Sequence, residues 1–274
     1  MATTALEVRF AQDSDLRVDL ARFNSTLEQV ALSLREIDRA LLVRGTRPVW
    51  VIQDLGRVGD VLSVRLTPRA VSSLRRERRS LLEPIEALVD GARQLEQTPE
   101  LPQYYSDQTV SRLIKIGDPA QGGLREVSLA TVNGEVGVPV HLSGQMMEHA
   151  REAVRAAEVS HGTVTGTLDI LNSRARSGKV RVSIFDTFSR RGVTGWAETE
   201  LGDVMRSDWG HRVEATGRLT RNERGQVVKM EIHRIERLPE DNSGRPSTDE
   251  LLGISPDWTG DKSTAEFLRR ARRG

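Results

Sequence analysis

Residues 159–239 constrain the fold more than any other stretch, because five short strand-like runs follow one another there with polar turns between them. The runs are HGTVTGTLDIL, KVRVSIFD, GVTGWAET, HRVEATGRL and QVVKMEIHRIERL. Between the third and the fourth run lies ELGDVMRSDW, which is long enough for one or two helical turns. Gly166 and Gly217 fall in the middle of runs, where a small barrel has to bend sharply. The segment therefore predicts a five-stranded barrel with one small helix.

This order of elements resembles the OB-fold, a small five-stranded barrel, over about 80 residues. The resemblance extends to the last part, where the fourth run, the polar turn TRNERGQ and a final apolar run follow in sequence. OB-fold barrels bind single-stranded nucleic acid on the face of their second and third strands, where aromatic rings stack on bases and cations follow the phosphates. The resemblance therefore implies single-stranded nucleic acid as one ligand to consider.

Alternation along KVRVSIFD divides the second strand into an inward aliphatic set and an outward set. The inward residues are Val180, Val182 and Ile184. The outward residues are Arg181, Ser183 and Phe185. Trp196 on the third strand also faces outward, and Arg190 lies in the turn between the two strands. The candidate nucleic-acid-binding residues are thus Arg181, Phe185, Arg190 and Trp196. The alternative is that this aromatic face packs against the N-terminal domain or the helix predicted near 201–209.

The first 158 residues show helical and strand-like patterns in alternation. LEVRF alternates as a half-buried strand should. A helix is predicted from about residue 15 to 43, where apolar residues recur every three or four positions. Two β-branched runs at 47–55 and 60–68 predict a hairpin.

Further along this region, Pro84 fits the first turn of a helix that continues to about Gln97. Ser106 can cap another helix. Asn133-Gly134 predicts a hairpin with a type I′ turn, and a last helix is predicted from about residue 144 to 158. Residues 1–158 therefore predict an α+β domain, whose role the sequence does not indicate.

The segment after the barrel divides into a polar linker, residues 240–250, and a tail, residues 251–274, with apolar and basic positions. A turn is predicted at Ser255-Pro256-Asp257, and Ser263 with Glu266 forms a capping box that predicts a short helix. The tail residues expected to bind a partner are Leu251, Leu252, Ile254, Trp258, Phe267, Leu268, Arg269, Arg270, Arg272 and Arg273. The predicted fold class is thus α+β: an N-terminal α+β domain, an OB-like five-stranded barrel, and a short helical C-terminal tail.

The tail is similar to C-terminal segments of type II antitoxins that neutralise PIN-domain ribonucleases, as in VapBC-like pairs. Its matching features are an apolar turn at Leu251-Leu252-Gly253, an Asp257-x-Thr259 step, and a Ser263-capped helix that ends in arginines. The resemblance implies a PIN-domain ribonuclease toxin as protein partner. Such nucleases gather carboxylates around a divalent metal, and an arginine can bridge those carboxylates and exclude the metal or the RNA. The alternative is that the tail folds back on its own barrel.

Composition narrows the remaining function classes. The chain has 40 basic and 39 acidic residues, a net charge of +1, so no global field draws it onto nucleic acid or an acidic membrane. The arginine-rich stretch 71–80 is interrupted by Glu77, which favours a solvated surface over a phosphate-binding patch. No ribbon-helix-helix or swapped-hairpin module is recognisable at the start of the chain, so the sequence does not indicate whether the protein binds DNA to repress its own operon.

The sequence also contains no pattern typical of catalysis. It has no cysteine, and its 5 histidines show no metal-ligand spacing. P-loop and nucleophile-elbow motifs are missing as well. No run of 18 apolar residues occurs, so no membrane partner is expected. The chain is therefore expected to be a cytoplasmic protein of bacterial style that is not an enzyme and needs no metal or cofactor.

Overall fold

The computed structural model describes residues 4–11, 19–41, 47–69, 78–118, 125–172 and 179–239. The chain divides into two compact units, Met1–Leu238 and Pro239–Gly274. The predicted linker, the predicted tail helix and most of the arginine-rich stretch 71–80 lie outside the described residues.

The elements alternate between helix and strand up to residue 154 and are mostly strands afterwards. In chain order they are β1 (Thr4–Ala11), α1 (Leu20–Leu41), β2 (Val49–Val58), β3 (Val61–Arg69), α2 (Arg78–Gln97), α3 (Asp107–Gly117), β4 (Glu126–Asn133), β5 (Glu135–Val136), β6 (Val140–His141), α4 (Gly144–Val154), β7 (Glu158–Asn172), β8 (Lys179–Asp186), β9 (Arg191–Glu198), α5 (Gly202–Ser207), β10 (Arg212–Arg221) and β11 (Val227–Arg237).

The N-terminal half forms a sheet with strand order β2-β3-β1-β4-β5, and β6 also pairs with β4. Its described strand pairs are all antiparallel. This strand order, with α1 between β1 and β2 and α2 between β3 and β4, is the split βαβ arrangement of ferredoxin-like folds. Leu6, Val8 and Phe10 of β1 are fully buried and share one core with α1, α2, α3 and α4. The apolar face predicted for LEVRF is confirmed, but the strand is not half-buried, because Glu7 on the opposite face is only 2% exposed.

Several details of this half differ from the sequence predictions. Helix α2 begins at Arg78, so Pro84 lies inside the helix. A proline there removes one helical hydrogen bond, and the buried stripe of Leu81, Ile85 and Leu88 outweighs that loss. The hairpin turn is not type I′, which needs positive φ at both central residues, because only Gly134 of the pair has positive φ, at 80°.

The strand that returns from this turn is interrupted, since Pro139 lies between the short strands β5 and β6 and cannot donate a ladder hydrogen bond. Helix α4 ends at Val154 instead of residue 158. The chain leaves the helix there because the backbone N–H of Ala157 donates to the carbonyl oxygen of Arg221 at 2.8 Å. That bond aligns the chain with β10 just before β7 begins.

The second half is a closed barrel in which β7, β8, β9, β11 and β10 are neighbours in that order. The pair β9–β11 is parallel and the other described pairs are antiparallel. With α5 between the third and fourth strands, this is the OB-like architecture that the sequence predicts. Val180, Val182 and Ile184 lie in the barrel core, as predicted from alternation. The α+β fold class with a five-stranded barrel is confirmed.

Two glycines allow the barrel to close tightly. A Cβ atom at Gly166 would lie 2.1 Å from the carbonyl oxygen of Phe185, and one at Gly217 would lie 1.9 Å from the carbonyl oxygen of Glu231. The β10–β11 register also shifts between Thr216 and Gly217. Backbones approach each other too closely for any side chain at these sites, which is the bending role predicted for them.

Among the described helices, none is both long and apolar enough to cross a membrane.

Candidate functional site

The predicted partner-binding residues of the tail belong to the unit Pro239–Gly274 and lie outside the described residues. They are Leu251, Leu252, Ile254, Trp258, Phe267, Leu268, Arg269, Arg270, Arg272 and Arg273. The four residues predicted to bind nucleic acid are all described, and they lie on the outer side of β8 and β9 or in the turn between them. The structure brings them together as two pairs.

The first pair is Arg181 and Trp196, which are direct cross-strand neighbours. The Arg181 guanidinium carbon lies 5.9 Å from the centre of the indole ring, and Nζ of Lys229 on β11 lies at the same distance. Trp196 is half-buried. Both cations are within the range of a cation–π interaction with the ring. The indole therefore already has two basic neighbours of the kind that a phosphate backbone would contact.

The second pair is Phe185 and Arg190, and Tyr104 of the N-terminal domain joins it. The rings of Tyr104 and Phe185 stack with centres 6.2 Å apart and planes 7° apart. The Arg190 guanidinium carbon lies 5.5 Å from the centre of the Tyr104 ring. The N–H of Tyr104 donates to the carbonyl oxygen of Arg190 at 2.6 Å. Phe185 thus has one ring face against a residue of its own chain.

Between these two pairs, the start of α3 covers the face of β9. The Thr194 hydroxyl donates to Oδ1 of Asp107 at 2.5 Å and accepts from Nε2 of Gln108 at 3.3 Å. The N–H of Gly192 donates to the carbonyl oxygen of Tyr105 at 3.0 Å. Thr194 is 0% exposed and Asp107 7% exposed. The packing of this face on the N-terminal domain, the alternative considered from the sequence, is present in the described residues.

The carboxyl of Asp107 is the most unusual titratable group in this interface. Burial raises its pKa, and the hydrogen bond from Thr194 and the nearby charges of Lys229 and Arg181 only partly oppose that rise. Nζ of Lys229 lies 3.8 Å from Oδ2 of Asp107. The ammonium group of Lys229 therefore already has a carboxylate of this chain beside it.

Further hydrogen bonds join the β10–β11 loop and the β8–β9 turn to the N-terminal domain. Nε of Arg191 donates to the carbonyl oxygen of Leu101 at 2.6 Å, and the N–H of Leu101 donates to Oε1 of Gln226 at 2.8 Å. Nδ2 of Asn222 donates to the carbonyl oxygen of Ala153 at 2.8 Å. These bonds explain why the α+β domain and the barrel belong to one compact unit.

A concavity of about 740 Å³ lies at the end of the barrel beside this junction. It is bounded by β7, the β8–β9 turn, β10 and the β10–β11 loop. Three arginines line it: Arg191, Arg212 and Arg221. Burial lowers the pKa of Arg191, and the nearby charges of Glu100 and Asp186 only partly oppose that effect.

A second concavity, of about 490 Å³, lies on the N-terminal sheet and is lined by residues of β1, β3 and β4. Its central group is Glu7, which is 2% exposed and accepts from Nε of Arg9 at 2.5 Å and from Nε of Arg65 at 2.8 Å. Burial raises the pKa of Glu7, but the bonds from Arg65 and Arg9 outweigh it, so the pKa lies below its ordinary value. Among the described residues, no phenylalanine, tyrosine or tryptophan lines this concavity, and His141 carries its one aromatic ring, so it lacks the pair of aromatic rings typical of an RRM sheet.

Within the described ranges, no group of three or more histidine, aspartate or glutamate residues is arranged to hold a metal ion. The residues that sequence reasoning missed are Tyr104, Asp107 and Thr194, which join the two domains. The sequence around each of these residues does not distinguish it from an ordinary loop, helix-start or strand residue. Their importance arises only from contacts about 90 residues apart in the chain, such as the one between Asp107 and Thr194.

No protein-family model matches the chain, and no curated protein matches it. Among solved structures, the chain aligns with a crystal structure of TiaS in complex with an isoleucine tRNA, AMPCPP and agmatine. The alignment has 12% sequence identity and a TM-score of 0.24, and it covers 86% of this chain and 46% of that chain. The chain thus spans less than half of the length of that structure, and a likeness at this TM-score supports no conclusion about function.

Proposed function

We propose that the protein is a non-enzymatic, antitoxin-like binding protein that captures and neutralises a PIN-type ribonuclease through residues 251–274. The observation that carries the proposal is the tail sequence: apolar anchors and a capped, arginine-rich helix follow a polar linker. The separate compact unit Pro239–Gly274 supports treating this segment as a module.

The chemistry of the tail suits an acidic, metal-binding active site. Arginine stays charged at every physiological pH and its planar fork of donors matches carboxylate oxygens. One arginine among Arg269, Arg270, Arg272 and Arg273 is proposed to occupy the carboxylate cluster in place of the metal. The anchors Leu251, Leu252, Trp258 and Phe267 offset the entropy that a segment loses when it orders on a partner.

The folded unit allows this proposal to be tested cleanly. The buried residues of both described cores precede residue 236. A chain that stops at Asn242 therefore keeps both cores while it lacks the entire tail. A matched control for charge replaces four exposed arginines of the folded unit by glutamine: Arg151, Arg206, Arg218 and Arg234.

The experiment co-expresses the chain with the product of the adjacent open reading frame and measures cleavage of a fluorogenic RNA in Mg²⁺. The full chain is expected to co-purify with the nuclease and inhibit it. The chain ending at Asn242 and the variant with all four tail arginines changed to glutamine are expected not to inhibit, whereas the control variant should. Inhibition should weaken as Mg²⁺ rises, because metal and arginine compete for the same carboxylates. Capture that survives removal of the tail, or failure of any partner to co-purify, would refute the proposal.

A second candidate function is binding of single-stranded nucleic acid by the barrel. The observation that favours it is the half-buried indole of Trp196 between the cations of Arg181 and Lys229. Trp196→Ala and Arg181→Gln should then weaken binding of a fluorescein-labelled oligonucleotide in a salt-sensitive manner. Absence of binding at low salt would exclude this function.

A further inference from the structure

The concavity at the barrel end has the size and the position of a ligand site, although it is separate from the Trp196 face. It lies among Thr163–Thr165 of β7, the turn from Asp186 to Arg191, two arginines of β10 and the loop residues 225–227. Its volume of about 740 Å³ falls within the range of small-molecule sites in proteins, roughly 300–1,000 Å³. All of these segments belong to the same compact unit.

The residues that line the concavity carry an excess of positive charge. Three arginines line it and only one carboxylate, Asp186, does so. Asp186 is committed to its own turn, because it accepts from the N–H of Phe188 at 3.0 Å and from the N–H and hydroxyl of Ser189 at 3.3 and 2.5 Å. In the part of the chain that the structure describes, Arg191, Arg212 and Arg221 form no ion pair. The concavity thus has an excess of positive charge, which Glu100 and Asp186 near Arg191 only partly balance.

The hydrogen-bonding capacity of these arginines is also only partly used. Arg191 donates through Nε to the carbonyl oxygen of Leu101 at 2.6 Å, and Arg221 donates through Nη1 to that of Gly225 at 2.8 Å. Nε of Arg212 is buried and has no acceptor in the described residues. A buried donor without an acceptor costs free energy, so part of the donor capacity of Arg212 is not met by the described residues. Phosphate is the group that arginine forks bind best.

Phe188 places an aromatic ring at the edge of the concavity. Phe188 is 96% exposed, the most exposed of the large hydrophobic side chains described. The hydroxyl-bearing residues Thr187 and Ser189 flank it in the turn. A ring held in solvent next to a cationic concavity is the arrangement that stacks on a nucleobase while cations hold the phosphate.

We propose that this concavity binds a nucleotide, with its phosphate groups bound by arginines among Arg191, Arg212 and Arg221 and the base stacked on Phe188. The nucleotide is either free or one unit of a single strand, since both present the same phosphate and base. The inference does not depend on the antitoxin proposal and uses a different surface from the Trp196 face.

The test uses the full chain and three probes in low-salt buffer: ATP and inorganic tripolyphosphate by calorimetry, and fluorescein-labelled dT12 by anisotropy. Arg212→Gln and Arg221→Gln are each expected to weaken ATP or dT12 binding by about tenfold, the effect of losing one charged hydrogen bond. Arg218→Gln is the matched control, because Arg218 is an exposed arginine of the same strand outside the concavity. It should bind as the unchanged protein does.

Phe188→Ala separates the base contact from the phosphate contact. It should weaken ATP or dT12 while leaving tripolyphosphate unchanged, and its full exposure means that the fold tolerates it. Tight ATP binding identifies a free nucleotide as the ligand. Preferred dT12 binding with a salt slope of about −2, expected for three phosphate contacts on a single strand, identifies a strand. The proposal is overturned if neither nucleotide probe binds, if Arg218→Gln weakens binding as much as Arg212→Gln, or if Phe188→Ala has no effect on either nucleotide probe.

Discussion

Replacement of Thr194 by valine tests whether the face of β9 is an internal interface. Valine has the same shape but no hydroxyl, so Thr194→Val removes the 2.5 Å bond to Asp107 without creating a cavity. Asp107 is 7% exposed, and its nearest remaining cation is Lys229 at 3.8 Å. Hydrogen bonds to charged groups contribute about 1.5–3 kcal/mol. Because the carboxylate stays buried after the change, we expect a loss at the upper part of that range, about 2–3 kcal/mol.

Urea unfolding at pH 7, followed by tryptophan fluorescence and by far-UV circular dichroism, measures this loss. Thr216→Val is the matched control, because Thr216 is an exposed barrel threonine whose hydroxyl contacts only that of Thr163, at 3.2 Å. The control should change the stability by no more than about 0.5 kcal/mol. A double-mutant cycle of Thr194→Val with Asp107→Asn should give a coupling energy of about 1–2 kcal/mol.

The pH dependence adds a second condition. Burial raises the pKa of Asp107 in the folded state, so the native protein holds this proton more tightly than the unfolded chain does. Its contribution to stability is therefore greatest below the unfolded pKa and falls as the pH rises through the raised pKa. Thr194→Val removes a bond that favours the charged form, so its penalty should be larger at pH 7 than at pH 4. A loss below about 0.5 kcal/mol at pH 7, or equal losses at the two pH values, would refute this account of the interface.

Four further substitutions are expected to alter stability, each measured by urea unfolding. Gly217→Ala places a Cβ 1.9 Å from the carbonyl oxygen of Glu231 and should cost about 3 kcal/mol, whereas Gly144→Ala, which meets no atom within 4 Å, should stabilise by about 0.5–1 kcal/mol. Glu7→Gln should destabilise the folded protein at pH 7, because the hydrogen bonds from Arg9 and Arg65 need the charged carboxylate. The difference in stability from the unchanged protein should shrink as the pH falls below about 4.3 and through the lowered pKa of Glu7. Arg212→Met removes a buried donor without an acceptor and should stabilise by about 1 kcal/mol, and a loss of stability would contradict that view of the concavity.

The architecture of the barrel was predictable because its signals are local. Alternation along β8 assigns Val180, Val182 and Ile184 to the core with no knowledge of the other strands. Glycine inside a strand run also marks Gly166 and Gly217 as bends, although the close backbone approaches that exclude a Cβ there come from Phe185 and Glu231 on other strands. The N-terminal cap at Ser106 is local too, and the structure confirms it: its hydroxyl accepts from the N–H groups of Gln108 and Thr109.

The functional surfaces were less predictable, because they depend on contacts between distant segments. Alternation predicts which side chains of β8 and β9 point away from the barrel core, but it does not predict whether solvent or a ligand can reach them. Tyr104 and Asp107 cover that face from a loop and a helix start about 80–90 residues earlier in the chain. The arginines of the barrel-end concavity come from β9 and both ends of β10, so no spacing in the sequence brings them together.

Residues of the N-terminal domain cover the β8–β9 face. A nucleic-acid strand would therefore bind there at a higher cost in free energy than in the barrel-end concavity. A strand laid across the whole face would have to displace Tyr104 from Phe185 and Asp107 from Thr194. An aromatic pair contributes about 1 kcal/mol and the charged hydrogen bond about 2 kcal/mol, so displacement costs about 3 kcal/mol, a loss of more than a hundredfold in affinity. One stacked base returns only about 1–3 kcal/mol. The barrel-end concavity requires no such displacement, because neither Tyr104 nor Asp107 lines it. We therefore expect the barrel to bind nucleotides in the barrel-end concavity in preference to the β8–β9 face.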